Sequence, residues 1–214
     1  SGTTESHYTP AWPPPHEAAP AVRGDRPERL ASCGKASYSV RVELMDDDGN
    51  ILPTGEVGEI VARGGIVGGG YYEMPEQTAE SVAHGWHHTG DVGRRDEQGY
   101  YYIVDRKKDM VVSGGFNVYS AQVEGAIMEL EAGAEAAIIG IPHDHWGEQV
   151  HAVIVRSGEI DEATVIAHAK ARLGSVQAPK TVAFVDEIPR TAAGKMDKKA
   201  LRQPYWGEQA RMVN

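Results

Sequence analysis

Near Arg106 the hydrophobic pattern of the chain changes period, and that change limits the fold more than any other feature. Upstream, the apolar runs are short and alternate with polar residues, as half-buried strands require. Val40-Arg41-Val42-Glu43-Leu44 and Glu59-Ile60-Val61-Ala62 flank the turn-forming run Asp46-Asp47-Asp48-Gly49-Asn50 and read as a hairpin. A Gly-rich turn through Gly68-Gly69-Gly70, then His87-His88-Thr89-Gly90-Asp91 and Tyr100-Tyr101-Tyr102-Ile103-Val104, extend the β character and predict a small antiparallel sheet or barrel. Downstream, strands and helices alternate. Val123, Ile127 and Leu130 recur at helical spacing in a helix that starts at Ser120 or Ala121 and ends at Leu130. A second helix over residues 161–173 opens on Asp161 as N-cap and closes on Gly174. Strands are predicted over 136–141, 150–155 and 181–185, and a last helix over 198–202. The fold class is α+β, a small antiparallel β unit followed by a compact α+β unit. Residues 1–30 hold Pro10, Pro13, Pro14, Pro15 and Pro20 among small residues, so little regular structure is expected there.

Charge and cysteine usage narrow the function classes. Asp and Glu outnumber Lys and Arg by 31 to 21, a net charge of −10, which argues against a nucleic-acid partner because phosphate backbones attract clustered cations. Cys33 is the sole cysteine, so neither an intrachain disulfide nor a Cys-based zinc cluster is available, and a cytoplasmic, reducing setting is expected. No apolar run approaches the roughly 18 residues of a membrane span, and the start lacks the basic and apolar regions of a signal peptide. The nine histidines, among them His84, His87, His88, His143, His145 and His151, show no spacing that would bring three ligands together, so no metal site is expected from them.

Three segments carry chemistry, and each has an ordinary structural reading beside the functional one. In Thr89-Gly90-Asp91 a carboxylate on a tight Gly turn is suited to accept from both hydroxyls of a ribose, but an Asp in a β-turn looks the same. In Asp105-Arg106-Lys107-Lys108-Asp109-Met110 the Arg can meet phosphate or ribose oxygens. The glycines of Ser113-Gly114-Gly115-Phe116-Asn117-Val118, which follows, allow a ligand close to the backbone; the alternative is a charged turn before a bulged strand. In Ile188-Pro189-Arg190-Thr191-Ala192-Ala193-Gly194-Lys195-Met196 a lysine on a punctuated loop can reach into a cleft and meet developing negative charge, or simply sit in solvent.

Order and spacing change these odds. Gly55-Glu56-Val57-Gly58-Glu59-Ile60, Gly69-Gly70-Tyr71-Tyr72, Thr89-Gly90-Asp91, Asp105-Arg106-Lys107-Lys108-Asp109, Ser113-Gly114-Gly115-Phe116-Asn117, Trp146-Gly147-Glu148 and Pro189-Arg190-Thr191-Ala192-Ala193-Gly194-Lys195 together resemble the adenylate-forming superfamily of acyl-CoA synthetases, peptide-synthetase adenylation domains and luciferases. Ser113-Gly114-Gly115-Phe116-Asn117-Val118-Tyr119 is closer to its acyl- and aryl-CoA ligase branch. Gly2-Thr3-Thr4-Glu5-Ser6 resembles the family's Gly-x-Thr-Glu motif, with the family's Thr-rich phosphate loop as the competing match.

The resemblance implies that residues 1–105 are the end of a large AMP-binding domain, closing in its β-subdomain, and that residues 106–214 are a C-terminal lid. The rest of the large domain, with the phosphate loop and the acid pocket, is expected upstream, so this chain is expected to be a C-terminal fragment, inactive alone. The substrates implied are a carboxylic acid, ATP with Mg²⁺, and CoA; a carrier-protein thiol as acceptor and a non-catalytic lid-type module are the alternatives. Thr4, Asp91 and Arg106 would bind the nucleotide and Glu5 would help hold Mg²⁺. Lys108 would be the hinge, and Ser113, Gly114 and Gly115 would meet CoA. Lys195 would serve adenylation. The chain departs from the pattern at Ser120, where Pro is usual, and at Gln122, where Glu is usual, while Glu124 is kept; the departures bear on how the helix is entered. Met196-Asp197-Lys198-Lys199 is also more charged than the pattern.

Overall fold

Residues 136–141 and 150–155 alternate two apolar sets, and a strand sends alternate side chains to opposite faces. In the computed structural model, which describes residues 11–12, 27–65, 67–68 and 73–207, these runs lie in β10 (Gly133–His143) and β11 (Gly147–Arg156), an antiparallel hairpin. Ala136, Ile138, Val150, Ala152 and Ile154 pack on one face with Val123 and Ile127 of helix α2 (Ser120–Ile127) and Val165 and Ala169 of helix α3 (Glu162–Leu173). Ala137, Ile139, Ile141 and Val153 form a second core with Ile188, Met196 and Leu201, the last from helix α4 (Lys198–Trp206). Both faces of the hairpin are thus covered by helices or the C-terminal loop.

The same sheet is completed by β8 (Val111–Ser113) and β9 (Phe116–Val118), which pair with each other, and by β12 (Thr181–Val185). Strand β11 meets β8 at Gly147↔Ser113 and runs parallel to β12 further along. Asp161 caps α3 by accepting from the Thr164 N–H at 2.8 Å, and Gly174 ends it at φ 84°, as the sequence predicts. Helix α2 stops at Ile127 rather than Leu130. Its last turn tightens, with Glu129 N–H bonded to Ala126 O and Leu130 N–H to Ile127 O, a 3₁₀ closure.

The described residues divide into two compact units between Val104 and Asp105. In the first, β3 (Val40–Met45) and β4 (Val57–Gly64) form the expected hairpin, with a connection in which the Asp46 carboxylate accepts from the Asp48 and Asn50 N–H groups. Strand β6 (Trp86–Arg95) adds beside β4, and β5 (Val82–Ala83), which follows helix α1 (Pro75–Ser81), and β7 (Tyr101–Arg106) both pair with β6. The order β3-β4-β6-β5 has two free ends among the described residues, an open sheet rather than a barrel. A short pair, β1 (Ala11–Trp12) with β2 (Lys35–Ala36), stands apart. Val40, Val42, Leu44, Ile60 and Ala62 share one face, and Met45, Val61 and Trp86 another.

Candidate functional site

Thr89-Gly90-Asp91 interrupts the β4–β6 ladder. Glu59 pairs with Val92 and Val61 with His88, so one residue of β4 faces three of β6 and the excess is a bulge. Gly90 takes φ 71° there. The buried Glu59 carboxylate holds the bulge, accepting from Gly90 N–H at 3.1 Å with one oxygen and meeting His88 Nδ1 at 2.9 Å with the other. Thr89 Oγ1 donates to Ile60 O and accepts from Asp91 N–H. Asp91, the expected ribose ligand, is thereby fixed and mostly buried.

The second unit carries the other described candidates. Strand β7 ends at Arg106, whose side chain is exposed, and a 3₁₀ turn, Lys107–Asp109, follows. Asp105 is buried: its Oδ1 accepts from Arg106 N–H at 2.8 Å and Ser120 Oγ at 3.0 Å, and its Oδ2 from Ser120 N–H. Ser120 thus enters α2 with a donor that the usual Pro lacks. Lys108, the expected hinge, offers its carbonyl to Arg202 Nη1 at 3.2 Å.

Ser113-Gly114-Gly115-Phe116 is a two-residue hairpin with φ 58° and 82° at its glycines, the doubly positive turn that matches strand twist. Trp146-Gly147-Glu148 seats it: Trp146 O accepts from Gly114 N–H at 3.0 Å, Gly147 pairs with Ser113, and the fully buried Glu148 carboxylate accepts from Val112 N–H at 3.1 Å. Trp146 stacks on His143 with ring centroids 4.3 Å apart, has the Lys180 ammonium 5.8 Å from its ring centroid, and stays 40% exposed beside the glycines.

Lys195 sits on a closed turn. Thr191 N–H donates to Lys195 O at 2.8 Å, Gly194 N–H to Thr191 O at 2.8 Å and Asp197 N–H to Pro189 O at 2.8 Å, while Gly194 takes φ 77°. Arg190 holds the turn from the side through Gly194 O at 3.0 Å and through Glu135 of β10. The Lys195 side chain is left exposed on a fixed base.

Thr4, Glu5 and Gly69-Gly70-Tyr71-Tyr72 lie outside the described residues. The supporting carboxylates, Glu59 and Glu148, were visible only as parts of the Gly58-Glu59-Ile60 and Trp146-Gly147-Glu148 runs; their work as acceptors for distant backbone donors depends on strand pairing. Among the described residues no group of three or more His, Cys, Asp or Glu could hold a metal ion, and no helix is long and apolar enough to cross a membrane.

Comparison with known proteins shows what the chain is similar to as a whole. The AMP-binding enzyme C-terminal domain family matches residues 122–195. A medium/long-chain fatty-acid–CoA ligase of Mycobacterium tuberculosis, FadD8, is 46% identical over 202 residues, covering 90% of this chain and 35% of its own length. A 2-succinylbenzoate–CoA ligase of Bacillus cereus is 38% identical, covering 82% of this chain and 36% of its own. Among solved structures, ATP-bound MatB of Rhodopseudomonas palustris superposes with a TM-score of 0.75 at 40% identity, over 82% of this chain and 36% of that one. The o-succinylbenzoate CoA synthetase MenE of Bacillus subtilis, bound to its acyl-adenylate intermediate OSB-AMP, gives 0.81 at 29% identity over 100% and 41%. The chain spans about a third of the length of the curated relatives it matches, at their C-terminal part. Residues 122–195 belong to the AMP-binding enzyme C-terminal domain family, and the chain over most of its length is similar to the C-terminal part of CoA ligases.

Proposed function

We propose that the chain serves an ATP-dependent, AMP-forming acyl-CoA ligase, with residues 1–105 closing the AMP-binding domain and residues 106–214 acting as a lid that turns about Lys108. The observation that carries this reading is the closed turn at Lys195, which presents an exposed ammonium from a base locked by Thr191, Gly194, Asp197 and Arg190. In the first half-reaction a carboxylate oxygen of the acid attacks the α-phosphorus of ATP, the bond to the β-phosphate oxygen breaks, and pyrophosphate leaves. Negative charge builds on the oxygens around phosphorus, and a fixed cation there stabilises the transition state more than the ground state. Asp91, Arg106 and Thr4 would hold the nucleotide, and Glu5 would help hold Mg²⁺, which when bound would offset phosphate charge.

In the second half-reaction the thiol of CoA attacks the acyl carbon, the bond to the AMP phosphate oxygen breaks, and the thiol proton passes to solvent. The Ser113-Gly114-Gly115 hairpin suits the pantetheine arm, because the two glycines at its tip leave the backbone open to close approach. Cys33 takes no part: its thiol donates to Tyr101 O and burial raises its pKa. Reduced Cys33 and the acidic surface suit a cytoplasmic enzyme.

The test is Lys195→Ala in the intact ligase. Adenylation, read as pyrophosphate release, should fall by about 10²–10³-fold. Thioester formation from supplied acyl-adenylate should persist, and equal loss in both half-reactions would sink the assignment.

A further inference from the structure

The charged run after Lys195 acquires a purpose in the structure. Asp197 caps helix α4, accepting from Ala200 N–H at 3.0 Å, and places Lys198 and Arg202 one turn apart on one helical face. Lys198 Nζ donates to Ser120 Oγ at 2.7 Å and pairs with Glu124 Oε1 at 2.6 Å, and Ser120 in turn holds Asp105. Arg202 donates to the Lys108 carbonyl at 3.2 Å and faces Asp109 Oδ1 at 3.5 Å. Two cations of one helix therefore grip both ends of the 105–109 segment. All these side chains are less than one-fifth exposed where the pairs are made, so water competes weakly for them.

The same face of α4 is fastened further along the helix. Tyr205 OH meets His151 Nε2 at 3.0 Å, Trp206 Nε1 donates to Gly140 O at 2.9 Å, and Leu201 lies in the core beside Ile139. Only Met196 and Asp197 separate Lys195 from Lys198, and both are bonded: Met196 bridges Arg190, and Asp197 N–H meets Pro189 O. A displacement of the 105–109 segment has no slack to absorb it before Lys195.

We propose that α4 is a clamp that sets the position of Lys195 relative to the 105–109 segment, with Lys198 and Arg202 as positioning residues for adenylation. This rests on the ligase reading above. A guanidinium suits the site because its planar fork meets the Lys108 carbonyl through one nitrogen and the Asp109 carboxylate through the other.

Two measurements test it. In the intact ligase, Lys198→Met and Arg202→Met should each lower the adenylation kcat by on the order of tenfold to a hundredfold, the loss expected when a catalytic group is misplaced by about 1 Å. KM for ATP should stay within about twofold, and thioester formation from supplied acyl-adenylate should be spared. Arg202→Lys should fall between wild type and Arg202→Met, and it carries the test where the Met variant does not fold. On the 214-residue chain, Arg202→Met should speed amide exchange in 105–109 and 190–197 together, while β10 and β11 keep their protection.

Both half-reactions falling in step, adenylation unchanged in the folded variants, or exchange rising in only one of the two segments would each overturn the clamp. Lys195→Ala separates the two claims. If it leaves adenylation intact, the ligase reading fails; if it abolishes adenylation while both clamp variants are fully active, the clamp alone fails.

Discussion

Gly140→Ala puts one methyl group where the structure has no room. A Cβ at Gly140 would lie 2.8 Å from Glu148 Cδ and 3.1 Å from Val111 Cγ1, and closer still to Glu148 Oε2. Glu148 is fully buried, and the same Oε2 accepts from Val112 N–H, so the carboxylate moves only by giving up that bond. Overpacking of this kind costs about 1–3 kcal/mol, and loss of a hydrogen bond to a buried charged acceptor about 1.5–3 kcal/mol. The sum, about 4 kcal/mol, is a large part of the stability of a single unit. The assay is amide exchange: the slowest amides of β10 and β11 read the opening of this unit, and Val112 N–H reads the local bond. Glu148→Asp withdraws the carboxylate by one methylene, so the double variant should be destabilised by clearly less than the sum of the singles. A loss under about 1 kcal/mol for Gly140→Ala, or strict additivity in the double variant, would refute the reasoning.

Two further outcomes follow from buried groups. His151 is enclosed between Thr181 Oγ1 at 2.7 Å and Tyr205 OH at 3.0 Å, and burial lowers its pKa below the ordinary 6.5. A depressed folded value means that the unfolded chain binds the proton more readily, so this stability is present above pH 6.5 and is lost as pH falls through the folded value. Urea midpoints measured from pH 8 downward, at values chosen about a unit apart, should therefore fall less steeply for His151→Gln than for the parent, and parallel curves would contradict the assignment. Glu59→Gln keeps the shape beside Gly90 but leaves one acceptor where the carboxylate uses two, costing about 2 kcal/mol. In the intact ligase it should raise KM for ATP by about threefold to tenfold through Asp91, and an unchanged KM would disconnect Glu59 from the nucleotide.

Much of the fold was legible because its causes are local. The apolar run from Ala136 to Ile141 reads as a strand by itself, and the structure buries both of its faces. Asp161 and Gly174 bound α3 through their own backbone preferences, and Gly114-Gly115 can take the doubly positive turn that other residue pairs resist. The ordered motifs carried the family by resemblance.

Tertiary structure decided what depends on partners far along the chain. Glu59 reaches Gly90 across 31 residues and Glu148 reaches Val112 across 36, so their place in the site follows only from strand pairing. Helix α4 was expected to end at Arg202, and Pro204 supports that expectation because it cannot donate to the preceding turn. The helix continues to Trp206 since Tyr205 and Trp206 gain partners on β11 and β10 that outweigh one missing bond. Ser120, a departure from the pattern in sequence, is in the fold the link between Asp105 and Lys198. Short-range preference set the period and the punctuation of the chain, whereas the pairing of buried charges with backbone donors required the finished sheet.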